Sequence, residues 1–175
     1  MPLDRGLVQV YTGDGKGKTT AALGLALRAA GQGFSVHIVQ FMKGGRTSGE
    51  VKALEWLPNI SICRFGRAEL VHPQRITAED QEMAREALAH GREAIQSGRY
   101  DLVILDEINV ALAWKLLDLQ AVLDMLEAKP QGLELVLTGR GAPQEVIEVA
   151  DLVTEMREVK HPYHQGLACR RGIDI

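Results

Sequence analysis

The residues best suited to chemistry form one glycine-rich stretch near the start of the chain, Thr12-Gly13-Asp14-Gly15-Lys16-Gly17-Lys18-Thr19-Thr20. It lies between an apolar run and an alanine-rich segment, as expected of a turn that joins a strand to a helix. Glycines let successive N–H groups point into one concavity, and the start of a helix adds partial positive charge. The stretch therefore predicts a phosphate-binding loop, in which Lys18 bridges phosphate oxygens and the Thr19 hydroxyl binds Mg²⁺.

One position departs from the usual pattern of such loops. The pattern G-x-x-x-x-G-K-[ST] has glycine where this chain has Thr12. Gly13 and Gly15 are therefore predicted to supply the turn. A glycine-rich connection that binds nothing is the alternative, but the motif and both flanking segments favour nucleotide binding.

A pair of carboxylates follows a second apolar run, Leu102-Val103-Ile104-Leu105-Asp106-Glu107. In nucleotide-binding proteins a carboxylate at the end of such a strand holds Mg²⁺, and a following glutamate often activates water. The alternative is an ordinary acidic start to the next helix, which the helix dipole favours. With the phosphate loop present, Asp106 and Glu107 are predicted to serve the metal.

For several other basic and acidic residues, the sequence indicates a function less clearly. Arg140 follows a predicted strand and could neutralise phosphate charge, although a surface arginine there is equally ordinary. Arg28 lies late in the first predicted helix, where either a nucleotide contact or a solvated face would fit. Lys43 and Glu50 flank a glycine-rich loop and could contact a ligand, but loops carry such residues routinely.

Other candidate sites are poorly supported. His161 and His164 flank a proline without a nearby cysteine or carboxylate, which is a weak pattern for zinc. The two cysteines, Cys63 and Cys169, are far apart and neither belongs to a CxxC pair. Reduced thiols and a cytoplasmic protein are therefore the prediction. No signal peptide or span of about 20 apolar residues is recognisable.

The candidate functional residues need secondary-structure elements that position them. The sequence predicts strands and helices that alternate along the chain. Apolar runs predict strands over 7–12, 35–41, 60–65, 102–105, 133–138 and 152–159. Helical spacing, a capping box at Thr77 to Asp80 and glycine stops predict helices over 19–30, 78–98, 119–128 and 143–150. This alternation predicts an α/β fold, a three-layer P-loop NTPase-like (RecA-like) sandwich with a mostly parallel central sheet. No linker divides it, so residues 1–175 are expected to form one domain.

Composition restricts the functional classes further. Of 175 residues, 46% are hydrophobic and 25% charged, which is typical of a globular chain and not of a disordered one. The formal net charge is −3, from 20 Lys+Arg and 23 Asp+Glu. No overall basic field attracts nucleic acid, so neither nucleic acid nor a membrane is an expected partner.

The combined motifs resemble the P-loop family of ATP:corrinoid adenosyltransferases. The segments that carry this resemblance occur in order along nearly the whole chain: TGDGKGKTTAALGLALRAAG (12–31), VQFMKGG with a later SGE (39–50), LVILDEINVAL (102–112), and LTGRGAP continuing to EVADLVTEMREVKHPYHQGLACRRGID (137–174).

This resemblance implies that Co(I) of a reduced corrinoid attacks C5′ of ATP and that triphosphate leaves. ATP and the corrinoid are then co-substrates with Mg²⁺ (alternatively Mn²⁺), and no catalytic base is needed. By resemblance residues 13–20 hold the triphosphate, and Lys18 and Glu107 act in catalysis. Thr19, Asp106 and Glu107 serve the metal, and Arg28 contacts ATP. The family also suggests a reversed ATP orientation, a homodimer and a flavoprotein reductant.

One segment departs from better-known members of the family. They carry a Gly-Phe-Thr-Trp segment whose aromatics cover the lower corrin face, whereas this chain has FGRAELVHP at 65–73. Either the preferred corrinoid differs, or Phe65 and Leu70 act from shifted positions. Two other functions stay open: a P-loop ATPase or phosphotransferase, which forms ADP, and a nucleotide-dependent corrinoid carrier without turnover.

Overall fold

A six-stranded parallel sheet forms the centre of the computed structural model, which describes residues 3–45, 48–54, 56–69 and 71–174. Its strands are β1 (Val8–Thr12), β2 (Val36–Gln40), β3 (Ile60–Arg64), β4 (Leu102–Asp106), β5 (Glu134–Thr138) and β6 (Leu152–Glu155). The spatial order is β3-β2-β4-β5-β1-β6, and every neighbouring pair is parallel. The predicted mostly parallel sheet is confirmed.

In the part of the chain that the structure describes, six α-helices cover the two faces of the sheet. They are α1 (Lys18–Gly31), α2 (Gly49–Leu54), α3 (Ala78–Gln96), α4 (Ile108–Ala113), α5 (Leu119–Glu127) and α6 (Gln144–Val149). On one face, alanines of α1 pack against alternate residues of β2 and β4. On the other, α3, α4 and α5 cover the remaining strand residues, which gives the predicted three layers. Within the described ranges, no helix is both long and apolar enough to cross a bilayer.

The two short helices α2 and α4 were not predicted. Each has only six residues, too few for a helical period to stand out from a short apolar run. Helix α4 is also buried along five of its six residues, so it lacks the polar face that identifies a surface helix. The last strand is shorter than predicted, because β6 ends at Glu155.

Helix α3 begins at the predicted capping box. The Thr77 hydroxyl accepts from the Asp80 amide (3.2 Å), and the Asp80 carboxylate accepts from the Thr77 amide (2.8 Å). The same buried carboxylate accepts two hydrogen bonds from the Arg67 guanidinium, at 2.7 and 2.9 Å. These bonds from Arg67, followed by those from Thr77, hold the pKa of Asp80 below its usual range.

Replacing Asp80 with asparagine is expected to lower the free energy of unfolding by about 2 kcal/mol, because a buried, charge-assisted acceptor is lost. A carboxylate with a lowered folded pKa stabilises fully above its unfolded pKa, and this contribution is lost as the pH falls through the folded value. The difference in the free energy of unfolding between variant and wild type should therefore be largest near pH 7 and shrink below about pH 4. Urea unfolding at several pH values measures it.

The exposed neighbour Glu79 provides the matched control, since Glu79→Gln removes a charge from the same helix turn without removing the cap. An equal loss in both variants would contradict a specific role for Asp80.

Candidate functional site

A cleft of about 740 Å³ opens at the carboxyl edge of the sheet, where the ends of the parallel strands meet. Its walls come from the loop before α1, from residues after β2, β4 and β5, and from the last part of the chain. In open parallel sheets this edge is the usual place for ligands. Its size is within the usual range of small-molecule sites.

The loop between β1 and α1 needs its glycines. Gly13 and Gly17 have φ of 91° and 120°, in the region that side chains avoid. A Cβ on Gly13 would lie 2.5 Å from the Met156 carbonyl oxygen, and one on Gly15 would lie 2.6 Å from it. The Gly15 amide also donates to that oxygen. Glycine is therefore required for the loop to pack against the chain that follows β6.

Thr12, the departure from the usual loop pattern, belongs to the strand. It is the last residue of β1 and is buried, and its hydroxyl accepts a 3.2 Å hydrogen bond from the Ala142 amide. Gly13 makes the turn, as predicted from the sequence. The threonine thus ties the loop to the segment after β5 without altering the turn.

Lys18 begins α1 with its side chain folded under the loop. Its ammonium donates to the carbonyl oxygens of Gly13 (2.7 Å) and Gly15 (2.6 Å). Burial lowers the pKa of Lys18, and the positive charge of Arg140 acts in the same direction. A cation held this way in a partly desolvated loop is well placed to bind polyphosphate oxygens.

Asp106 is the centre of the polar network beneath the cleft. The carboxylate, 1% exposed, accepts from the hydroxyls of Thr19 (2.8 Å) and Thr138 (2.7 Å). It also accepts from the Gln40 amide (3.0 Å) and the Lys43 ammonium (2.8 Å). Because β4 lies between β2 and β5, one carboxylate joins three strand ends to the first turn of α1.

Glu107 stands at the next position in a left-handed conformation, with φ of 69°. Its amide donates to the Thr138 hydroxyl (3.0 Å), and its carboxylate lies 3.7 Å from the Lys43 ammonium. Burial raises the pKa of Glu107, and the Asp106 charge adds to this effect, while the charges of Lys43 and Lys18 oppose it. Such a conformation in a residue other than glycine is costly and is typical of functional sites.

The donor atoms near Asp106 are chemically suited to a hard divalent cation. Thr19, Asp106 and Glu107 offer only hydroxyl and carboxylate oxygens, the ligands that Mg²⁺ and Mn²⁺ prefer. The Lys43 ammonium lies against both carboxylates, and although burial alone would lower the pKa of Lys43, Asp106 and Glu107 raise it overall. A positive charge is therefore favourable at this position. The three oxygen-donating residues fit a divalent metal ion.

The structure brings most of the predicted residues together. Those that line the cleft are Gly15, Lys16, Gly17, Lys18, Thr19, Thr20, Glu107 and Arg140. Gly13 makes the turn, Asp14 is exposed beside it, and Asp106 lies beneath the cleft floor. Arg28 is exposed late in α1, where its charge acts on Tyr11, and it is not among the lining residues. Its predicted ATP contact stays a prediction.

Phe65, one of the two hydrophobic residues predicted to act on the corrin, packs against the α3 side of the sheet. Its ring centroid lies 5.6 Å from that of His90, and it does not line the cleft. The other, Leu70, lies outside the described residues. The part that Phe65 and Leu70 play toward the corrinoid stays a prediction.

Two parts of the site were missed or underrated in the sequence. Lys43, for which the sequence indicated a ligand contact only weakly, lies three residues after the end of β2 at the carboxyl edge of the sheet. The segment after β6 also lines the cleft, with Tyr163 and Leu167 among its residues. Asp174 in this segment pairs with Lys16 of the phosphate loop. No periodicity marks this segment, so only tertiary structure reveals its place.

Comparison with known proteins identifies relatives over nearly the full chain. The matching family model is described as ATP:corrinoid adenosyltransferase BtuR/CobO/CobP, and it covers residues 4–175. A corrinoid adenosyltransferase of Sinorhizobium sp. is 39% identical over 176 residues, which cover 98% of this chain and 81% of the relative. The corrinoid adenosyltransferase of Escherichia coli K12 is 36% identical over 171 residues (98% and 86%). Corrinoid adenosyltransferase CobA of Salmonella typhimurium LT2 is 37% identical over 177 residues (98% and 86%).

Proposed function

This chain belongs to the ATP:corrinoid adenosyltransferase family, and we propose that the residues of the cleft described above carry out its reaction. The enzyme adenosylates a corrinoid with ATP. In the reaction the Co(I) electron pair forms the bond to C5′, the C5′–O bond breaks, and its electrons leave with inorganic triphosphate. We propose that residues 13–20 hold the triphosphate and that the described chain acts as one domain.

The main observation in support of this proposal is the pair of hydrogen bonds that hold the Lys18 ammonium under the phosphate loop. Negative charge increases on the triphosphate as the C5′–O bond breaks. Preorganised donors and cations aimed at such charge supply much of an enzyme's rate acceleration. Lys18, Arg140 and the loop amides are proposed to stabilise the leaving triphosphate. No proton is removed from the nucleophile, so Glu107 is not needed as a base.

We propose that Thr19, Asp106 and Glu107 hold Mg²⁺, with Mn²⁺ as an alternative. When bound, the metal would neutralise triphosphate charge. The oxygen-only donor set supports this assignment. Lys43, hydrogen-bonded to Asp106, would keep the carboxylates oriented while ATP binds.

Replacing Glu107 with glutamine is expected to raise the Mg²⁺ concentration for half-maximal rate by about tenfold or more, because the site loses one negative donor. Initial rates at varied Mg²⁺ and saturating ATP measure this change. Glu127→Gln, an exposed substitution on α5, is the matched control. An unchanged Mg²⁺ requirement in Glu107→Gln would assign the metal to other ligands.

The reaction is tested by anaerobic incubation of the protein with ATP, Mg²⁺ and chemically reduced cob(I)alamin. A light-sensitive adenosylated corrinoid together with triphosphate is the expected result. ADP and phosphate with an unaltered corrinoid would indicate an ATPase or phosphotransferase instead. Tight corrinoid binding without any product would indicate a carrier.

We further propose that the protein acts in the cytoplasm, where reducing conditions suit a Co(I) substrate, and that a flavoprotein supplies the electrons. We also propose that it forms a homodimer. Strand β6 lies at the sheet edge and exposes Leu152 and Val153, each to 40%, which supports association through this edge. Sedimentation equilibrium at the mass of one chain would contradict the dimer.

A further inference from the structure

Three potential metal ligands meet on the α3 side of the sheet, away from the phosphate loop. His37 comes from β2, Cys63 from β3 and His90 from α3. One ring nitrogen of each histidine and the Cys63 Sγ all lie within 4.8 Å of one another. The two histidine Nε2 atoms are 3.0 Å apart. None of the three residues lines the nucleotide cleft, and adenosyl transfer gives them no role.

The register of the sheet explains why these side chains meet. His37 pairs with Ser61 and Val39 pairs with Cys63, so residues 37, 61 and 63 project to the same face. Helix α3 packs on that face and adds His90. His37 lies three residues before Gln40, about 10 Å along the strand from the Asp106 network.

Neighbouring groups orient the His37 ring. Nδ1 lies 2.7 Å from the Ser61 hydroxyl, which itself donates to the Val36 carbonyl oxygen (3.4 Å). When the hydroxyl hydrogen is directed to Val36, Nδ1 carries the ring hydrogen and donates it to Ser61. The lone pair is then on Nε2, which faces His90. Ligating histidines are typically oriented by such a bond from the second nitrogen.

His37 is also the most deeply buried of the three residues. It is 3% exposed. The Tyr100 ring stacks on it, with centroids 4.7 Å apart. Cys63 and His90 are partly exposed, which leaves a path from solvent to the three ligand atoms.

We propose that His37, His90 and Cys63 bind a borderline-soft transition-metal ion, with Zn²⁺ as the representative of this class. Zinc takes histidine nitrogen at 2.0–2.1 Å and cysteine sulfur at about 2.3 Å, so its ligand atoms lie about 3.5 Å apart. The present separations need only small side-chain movements to reach that value. Binding replaces the hydrogen bond between the two Nε2 atoms, the His90 hydrogen then resides on Nδ1, and the Cys63 thiol releases its proton to solvent as it binds as the thiolate. Three protein ligands leave a fourth position for water.

An ion here would join β2, β3 and α3, elements that are far apart in the chain. Because a preformed site is absent from the unfolded state, binding would stabilise the folded state. This ion differs from Mg²⁺ in the cleft, since nitrogen and thiolate ligands disfavour hard cations.

The test uses the full chain, stripped of metal with a chelator and kept reduced and anaerobic. Titration with Co²⁺, a spectroscopic probe for Zn²⁺ sites, is expected to produce a thiolate-to-cobalt charge-transfer band with one ion per chain. Zn²⁺ should abolish that band, whereas excess Mg²⁺ should not. Zn²⁺ alone should also raise the unfolding temperature of the wild type.

Variants assign the band to particular residues. Cys63→Ser should abolish it, and His90→Ala should weaken Co²⁺ binding at least tenfold. Cys169→Ser is the matched control, since Cys169 is the other free thiol and lies outside the cluster; its band should persist. Circular dichroism confirms that each variant is folded. A band that survives Cys63→Ser, or the absence of any band and any stabilisation in the wild type, would overturn the proposal and leave a hydrogen-bonded histidine pair.

Discussion

Replacing Lys18 with alanine should reduce kcat/KM for ATP by about a thousandfold, the upper range for loss of one preorganised donor to developing charge. The ammonium is held by two carbonyls of the loop that is proposed to hold the triphosphate. Steady-state rates of corrinoid adenosylation at varied ATP measure the loss, and calorimetric titration with ATP reports binding separately.

The fold should withstand this substitution because Lys18 serves the loop and its ligand, and the apolar face of α1 packs through Ala22, Ala26 and Ala29. Lys52→Ala, an exposed substitution on α2, is the matched control and should keep wild-type activity. Activity retained in Lys18→Ala would remove the phosphate loop from the mechanism.

Replacing Asp106 with asparagine should reduce kcat by about a hundredfold. The asparagine amide has nearly the same shape but offers hydrogens where the carboxylate accepts four hydrogen bonds. Its NH₂ group would face either the hydroxyls of Thr19 and Thr138 or the donors of Gln40 and Lys43. Hydroxyls can reorient, but an ammonium cannot accept a hydrogen bond. The substitution also removes a proposed metal ligand.

Loss of the Asp106 charge beside the Lys43 ammonium should also destabilise the protein, by about 1–3 kcal/mol. Adenosylation rates at saturating Mg²⁺ and urea unfolding of the same preparation separate the two effects. Asp124→Asn, an exposed substitution on α5, is the control and should change neither quantity appreciably. A fully active Asp106→Asn variant would contradict the role of this carboxylate in the site.

Asp106 and Glu107 are adjacent in sequence but have different environments. Asp106 accepts four hydrogen bonds from protein groups and is buried beneath the cleft, whereas Glu107 lines the cleft, with an exposed fraction of 26% for its side chain. The larger loss is therefore expected for Asp106→Asn, whose structural role adds to its proposed metal role. A larger loss of kcat in Glu107→Gln would reverse that order and give the partly exposed carboxylate the main part.

The sequence alone was sufficient for the features that depend on neighbouring residues. The spacing of Gly13, Gly15 and Gly17 before Lys18 predicts a phosphate loop because a tight turn, a positive φ and a helix start are local requirements. The continuous apolar run before Asp106 predicts a buried parallel strand for the same reason, and Thr77 with Asp80 predicts the start of α3. The apolar runs along the chain predicted all six strands, and their alternation with helical segments predicted the three-layer fold.

Tertiary structure alone decided which distant residues share a site. Lys43 meets Asp106 because β2 and β4 are neighbours in the sheet, an order that local periodicity does not contain. The pairing of Asp174 with Lys16 depends in the same way on where the end of the chain lies. His37, Cys63 and His90 have no motif spacing, and only strand register and the packing of α3 bring them together. Contacts of this kind arise from packing between elements, so they appear only when the whole fold is known.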